Sequence, residues 1–515
     1  MAEEESIRLP ASTTAEPIPD RNLLRIPAPD AAVVEVRFAS LADRDRFDPA
    51  GWRRVKLGSE GNGWFSANLS TLELPDSDYE YEFTLDARAD DPIPDPWAEE
   101  ITRFGGYRGV FHIRGGRRWR APFSWDDEMP SGGRLPANEQ LVIYELPIRW
   151  VEHGPEQVRE VDLGDLDHLI FQHLDAIADL GVTAIEPLPV QDSPDTLSWG
   201  YGTRFFMTPD YDLGAPIDMK LFVKRCHQKG IRVILDVVMN HARECPLERL
   251  AKNWYFCEPG DEQGRDTQTW GGTLFRFQNE MPEGSYHARE FLCQMAEYWV
   301  REYRIDGFRI DEFKGIGNWD FLQEFRDRAT RAQDQAFPGR PFLVIAEDSW
   351  RRTQATRSDP ENPHGRAVTD AMWNFAFHDE ARHLLTNQIH TRWGCASRSE
   401  RIRALIANDA MWDELKQEFS EGFAEPHQAI NYICSHDVEQ DGAQRYMNYI
   451  LEATEIRAHA RRFHSQLEVE EWIERLKVPN ATSVNLDKAA TGPPRIATGL
   501  KHAVKRKKTK ASAWE

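Results

Sequence analysis

The stretch IRVILDVVMNH, residues 231–241, is a nearly continuous apolar, β-branched run that closes on Asp236, Asn240 and His241. A run of this kind, without regular polar alternation, belongs to a strand covered on both faces. Working outward, the same rhythm recurs in LVIYEL (141–146), VTAIEPLPV (182–190), GFRID (307–311), FLVIAE (342–347), a weaker AVTDAMW (367–373) and AINYICS (429–435). Amphipathic segments lie between them. Leu166, Leu169, Ile170, Leu174 and Ile177 share one helical face before Gly181; Phe222, Val223 and Cys226 precede Gly230; Phe291, Leu292, Met295, Trp299 and Tyr303 form a third face. Seven strands alternating with helices over about 300 residues predict an α/β fold, a TIM (β/α)8-type barrel. It reads as incomplete at the eighth strand, for which TSVNL (482–486) is a poor candidate.

Other stretches follow different rules. Residues 1–31, rich in Pro, Ala, Thr and acids, read as a disordered leader. Residues 32–114 carry short alternating runs, among them VVEVRF, GWFSANL and YEYEFTLD, and predict a small all-β sandwich. Residues 115–139 are a Gly/Pro-rich connector and 140–440 the barrel, whose long insertion at 242–284 is expected to form an excursion over its mouth. Residues 441–487 read as a charged helical segment. The basic tail at 488–515 is expected to be disordered, solvated charge.

Composition limits the functions available. At 515 residues, 40% hydrophobic, the chain can bury a large core. No apolar window of membrane-spanning length occurs and the acidic start MAEEESIRLP lacks a secretory signal, so a cytoplasmic protein without a membrane partner is expected. A net charge of −22 disfavours nucleic acid. Six cysteines at irregular spacing read as reduced thiols, and no metal or other cofactor is assigned. Of the seventeen tryptophans most are expected in the core, a few along a sugar-binding groove.

In a barrel the chemistry lies at the C-terminal strand ends. Here the third strand ends in Asp236, Asn240 and His241, the fourth in Arg309 and Asp311, the fifth in Glu347 and the seventh in His436 and Asp437. Any one of these alone is more often a solvated or ion-paired side chain. Together, in register with four strand ends, they supply what glycoside hydrolysis needs: two carboxylates flanking a bond, a third to stabilise charge on the ring, and an arginine to keep the nucleophile ionised.

DVVMNH (236–241), GFRID (307–311), VIAED (344–348) and SHD (435–437), in that order, resemble the four short sequence regions of the α-amylase family of retaining α-glucan hydrolases and transferases. The resemblance implies Asp311 as nucleophile, Glu347 as general acid/base, Asp437 as transition-state stabiliser, Arg309 orienting the nucleophile, and His241 and His436 contacting glucose hydroxyls. WGYGTRFFMTPDYDLG (199–214) is similar to the family's loop after the second barrel strand, with Tyr201 where a ring stacks on sugar. Lys314 is similar to a leaving-side sugar contact, although Gly315 stands where many members have His. Asn240 matches a calcium ligand of some members, without the rest of that ligand set. The 32–114 module resembles the sandwich of branching and debranching members, including Gly63-Trp64 and Asp95-Pro96-Trp97-Ala98, with a packing role at least as expected as glucan binding.

The implied partner is an α-glucan polysaccharide or oligosaccharide, cleaved by double displacement; oligomeric state is unread. IAEDSW is closer to branching enzymes, so hydrolysis and transfer, and α-1,4 and α-1,6 linkages, stay open. A second reading also stays open, a catalytically impaired, truncated glucan-binding protein, suggested by the missing eighth strand. A phosphosugar enzyme is disfavoured, since no Gly-rich phosphate loop is evident near the barrel's end.

Overall fold

The computed structural model describes residues 22–439 except 44–47, 49–50, 89, 103–106, 131, 152–163, 195–198, 279, 282–283, 386–397, 409–411, 414–417 and 420–421. The helical segment expected at 441–487, the candidate strand at 482–486, the basic tail and residues 1–21 of the leader lie outside the described residues.

Period-two alternation shapes the N-terminal part. Its strands are β1 (Leu23–Pro27), β2 (Val34–Ser40), β3 (Arg53–Lys56), β4 (Gly58–Gly61), β5 (Trp64–Asn68), β6 (Ser77–Leu85), β7 (Ile101–Thr102), β8 (Arg108–Arg114) and β9 (Arg117–Trp119). They form antiparallel sheets in the orders β1-β5-β4 and β3-β2-β6-β8-β7, with β9 on β8. Leu24 and Ile26, Val34, Val36 and Phe38, Tyr81 and Phe83, and Phe111 and Ile113 all enter one core. The expected boundaries need correction at both ends. Residues 23–27, placed in the leader, pair with β5 from Leu23↔Asn68 to Pro27↔Trp64, because Leu24 and Ile26 have an apolar face to bury. At the other end β9 extends the sheet past Arg114 into the expected connector.

The second part contains β10 (Ile143–Leu146), β11 (Ala184–Pro187), β12 (Gln191–Asp192), β13 (Phe205–Pro209), β14 (Arg232–Val237), β15 (His241–Ala242), β16 (Phe256–Cys257), β17 (Thr273–Phe275), β18 (Gly307–Ile310), β19 (Leu343–Ala346), β20 (Ala371–Trp373), β21 (Trp412–Asp413), β22 (Glu418–Phe419) and β23 (Ala429–Ile430). Its principal helices are α1 (Leu166–His168) and α2 (Leu174–Asp179), joined by a π turn, then α3 (Pro216–Gln228), α4 (Leu247–Leu250), α5 (Lys252–Tyr255), α6 (His287–Tyr303), α7 (Phe313–Ile316), α8 (Trp319–Ala336), α9 (Phe375–Leu385) and α10 (Arg398–Ala407). All seven apolar runs supply strands to one parallel sheet in chain order, β10-β11-β14-β18-β19-β20-β23. The insertion after β14 forms a small sheet, β15-β17-β16, with α4 and α5.

Parity divides the sheet's side chains between two cores. Val233, Leu235, Val237, Phe308, Ile310, Val344, Ala346 and Met372 face outward into the core shared with the helices. Ala184, Ile234, Leu343, Ile345, Ala371 and Trp373, with Ile143 and Ile430 against them, form a separate inner cluster. Two residues beyond inner positions stand Glu145, Glu186, Asp236 and Glu347, so the inward row turns polar at the C-terminal end. The sheet curls: the Glu145 carboxylate on β10 accepts from the backbone N–H of His436, just past β23, at 2.9 Å. The fold is thus a TIM-type barrel with seven strands among the described residues.

Tryptophans join the two parts. Trp64 lies against Trp97 and Trp254 at 5.9 and 6.1 Å between ring centroids, and Trp97 meets Phe291 of α6 edge-on at 5.2 Å. Gly63-Trp64 and Trp97 are therefore packing elements here. At the barrel's opposite end Glu128 accepts from His227 (2.7 Å), Arg340 (2.9 Å) and Arg304 (2.5 Å), pinning the 115–139 segment to α3, the end of α6 and the loop before β19.

Candidate active site

The polar end of the barrel is organised by Arg309, which is fully buried on β18. Its Nη1 donates to Asp236 Oδ1 at 2.8 Å and to Asp311 Oδ1 at 3.0 Å, and its Nη2 lies 2.8 Å from Glu347 Oε2. Strand register explains the grouping: Asp236↔Arg309↔Ile345 are cross-strand partners, which places Asp236 beside Arg309 and lets Asp311 and Glu347 follow two residues further up their strands. The guanidinium also lies 4.7 Å over the Trp373 ring. One buried cation thus holds three carboxyl groups.

Burial raises Asp311 to about 7, with Arg309 opposing and Asp236, Glu312 and Asp437 adding to the rise. Glu347 is held well above the usual glutamate range by burial and by Asp311, Glu312 and Asp437, again against Arg309; its Oε2 also accepts from the Glu312 backbone N–H at 3.0 Å. Asp437 differs. Burial would raise it, but His436 and Arg309 hold it below its ordinary value. The three residues expected as acid, nucleophile and stabiliser therefore lie within electrostatic reach of one another. Asp348, next to Glu347 but of opposite parity, is buried against Arg352 at 2.8 and 2.9 Å and faces away from this group.

The remaining expected residues surround this centre. Tyr201 donates its hydroxyl to Asp236 at 2.5 Å, and its ring stacks on the His436 imidazole at 5.0 Å and 14°. One face of the expected sugar platform is thus covered by His436. His241 Nε2 faces the Tyr201 carbonyl at 2.9 Å, and burial lowers its imidazole to about 4, leaving it neutral at neutral pH. Asn240 donates to Asp311 Oδ2 at 3.3 Å, and its own carbonyl accepts from Arg265 at 3.1 Å. Among the described residues no group of three or more His, Cys, Asp or Glu side chains could hold a metal ion. Lys314, on α7, lies 3.2 Å from Asp266 and 3.6 Å from Glu312. Gly315 has a steric reason to lack a side chain: a Cβ there would sit 2.7 Å from the Trp270 indole and 3.0 Å from Asn240.

Two carboxyl groups escaped the sequence reading. Glu145 on β10 holds His436 through both oxygens, one on the backbone N–H and one 2.7 Å from Nδ1. Glu186, its cross-strand partner on β11, is buried with Oε1 unbonded, and burial together with Glu145 raises it to about 8. Both lie inside apolar strand runs. Their spacing of two from Ile143 and Ala184 is the signal that would have found them.

Comparison with known proteins identifies this arrangement. The family model "Alpha amylase, catalytic domain" matches residues 122–440, beginning inside the stretch read as a connector. Malto-oligosyltrehalose trehalohydrolase of Saccharolobus solfataricus is 28% identical over 65% of this chain and 52% of its own length. The 1,4-alpha-glucan branching enzyme GlgB of Methylobacillus flagellatus is 34% identical over 47% of this chain and 36% of its own. The chain thus spans only about half, or less, of these two curated relatives. Pullulanase type I of Bacillus subtilis, solved with maltose, shares the fold at TM-score 0.58 and 23% identity, over 84% of this chain and 59% of that one. With the family model covering most of the barrel and the four motif regions gathered at one strand end, the chain belongs to the α-amylase family.

Proposed function

We propose that this chain is a retaining enzyme acting on α-glucosidic bonds of starch- or glycogen-like glucans by double displacement. The observation that carries the reading is Arg309 holding Asp236, Asp311 and Glu347 together at the C-terminal strand ends. In this scheme Asp311 attacks the anomeric carbon while Glu347 gives its proton to the leaving oxygen, and water or a sugar hydroxyl then displaces Asp311 with net retention. The environments support that division: Asp311 reaches about 7, while burial and three neighbouring carboxylates favour keeping the proton on Glu347. Asp437, ionised beside them, is suited to stabilise positive charge on the ring. His241, Tyr201 and Lys314 are the proposed sugar contacts. Relatives named as trehalohydrolase, pullulanase and branching enzyme support an α-glucan substrate without choosing between hydrolysis and transfer.

A cytoplasmic setting is proposed on the thiols: Cys226, Cys245, Cys257 and Cys293 are buried and free, and Cys434 is exposed and free. No helix among the described residues is long and apolar enough to cross a membrane.

The test is product analysis on soluble starch, glycogen and pullulan, following reducing ends and branch content together, with Asp311→Asn alongside. New reducing ends lost in the variant mean hydrolysis; altered branching without net new ends means transfer. Equal activity in both proteins contradicts the assignment. Glucan binding without turnover by the unaltered chain would favour the binding-only reading.

A further inference from the structure

The carboxyl groups of Glu145, Glu186, Asp236, Asp311, Glu347 and Asp437 stand at the polar end of the barrel, with Arg309 and His436 among them. Arg309 serves Asp236, Asp311 and Glu347. His436 is bound by Glu145 and Asp437. Its Nδ1 lies 2.7 Å from Glu145 Oε1, its backbone N–H donates to Glu145 Oε2 at 2.9 Å, and its Nε2 lies 3.1 Å from Asp437 Oδ1. The ring is further fixed by the stacked Tyr201 and by Trp199 edge-on at 5.0 Å. With a carboxylate on each ring nitrogen, both nitrogens must donate, which only the imidazolium can do.

We propose that Glu145 is a positioning residue that keeps His436 cationic and clipped to β10, so that His436 in turn keeps Asp437 ionised and aimed at the reacting ring. The proposal rests on the reading of Asp437 as the charge stabiliser. Glu145 is suited to this because it is fixed on a strand while Asp437 sits on the segment after β23, and its two bonds to His436 tie β10, at one edge of the described sheet, to the segment that follows β23 at the other. The groups facing His436 are Glu145 on β10, Glu186 on β11, Asp236 on β14, Tyr201 on the loop after β12, and Asp437; those facing Asp437 are His436, Arg309, Asp311, Glu312, Glu347 and Tyr432. Burial alone would lower His436, yet Asp437 and Glu145 push it up to about 10. The same clip assigns both ring nitrogens, so a sugar hydroxyl could reach Nε2 only by displacing Asp437.

The experiment uses Glu145→Gln in the full chain, which keeps an acceptor for the His436 backbone N–H but removes the charge. Histidine side-chain NMR, with His436 assigned by its loss in His436→Gln, follows the ring's titration. In the unaltered chain it stays doubly protonated to about pH 10. In Glu145→Gln it titrates at least one pH unit lower, kcat on the alkaline side falls about tenfold or more while KM moves less, and the alkaline limb of kcat shifts to lower pH. A purely structural role would instead be rescued by Gln. Unchanged titration of His436 in Glu145→Gln overturns the proposal, as does a shifted titration with an unchanged pH profile of kcat. Asp437→Asn is the second variant, in case Glu145→Gln does not fold: with Glu145 intact His436 should still titrate above the ordinary histidine range, and an ordinary value there contradicts the clip. Failure of the underlying reading is seen separately, as equal activity in Asp311→Asn and the unaltered chain.

Discussion

Arg309 is where single residues decide most. Its planar fork reaches Asp236, Asp311 and Glu347 at once, a geometry that the point charge of lysine cannot reproduce. Arg309→Lys should therefore lower kcat/KM by about 10²-fold or more on any α-glucan, measured at saturating and limiting substrate. Ionisation gives a second test. Asp311 must be charged to attack, so activity is gained as pH rises through about 7; Glu347 must hold its proton, so activity is lost as pH rises through its raised value. The pH profile of kcat/KM should then show an acid limb near 7, and an acid limb near pH 4 would contradict the site's electrostatics. A third test concerns the proton itself. Glu347→Gln should be nearly inactive on glucans yet largely retain the first step on a glucosyl fluoride, whose leaving group needs no proton. Asp311, Glu347, Arg309 and Asp437 could all be read from motifs at strand ends. Glu145 as the partner of His436 could not, because no local pattern joins residues 145 and 436.

At the scale of elements, apolar runs were sufficient to find all seven strands of the parallel sheet, since strands buried on both faces leave that mark. The same continuity hid Glu145 and Glu186, each a lone acid inside an otherwise apolar strand whose direction only parity and register reveal. β1 was missed for another reason: its two inward residues, Leu24 and Ile26, sit among Pro-rich sequence that reads as unstructured. The hairpin at Gly61–Trp64 shows how an element is fitted to its neighbour. Gly63 has φ +82°, and a Cβ there would approach the Trp254 ring at 2.7 and 2.9 Å. Gly63→Ala should lower stability by roughly 1–3 kcal/mol in urea unfolding, with little effect on chemistry at Asp311. A neutral outcome would mean that the tryptophan contact between the two parts yields at no cost.

For the whole molecule the question is what binds the connecting segment to the barrel. Glu128 faces His227, Arg304 and Arg340, and His227 also faces Asp306 at 2.8 Å, all near the barrel end opposite the candidate site. Burial would raise Glu128, but His227 and Arg340 hold it down at about 2; burial would lower His227, but Asp306 and Glu128 raise it. The signs are opposite. Glu128 contributes fully above the ordinary glutamate value and loses its contribution as pH falls through about 2, whereas His227 contributes below the ordinary histidine value and loses it as pH rises through its raised one. Glu128→Ala should therefore destabilise the fold by roughly 3–5 kcal/mol near pH 6, with the deficit shrinking toward pH 2. Urea unfolding across that range measures it.

The most direct test of the account is to trap the covalent intermediate. A fluorinated maltosyl fluoride that glycosylates the enzyme and is released slowly should leave one sugar adduct, which peptide mass spectrometry should locate on Asp311, with none in Asp311→Asn. An adduct on another carboxylate, or rapid turnover of ordinary glucans by a protein that forms no adduct, would contradict double displacement at Asp311.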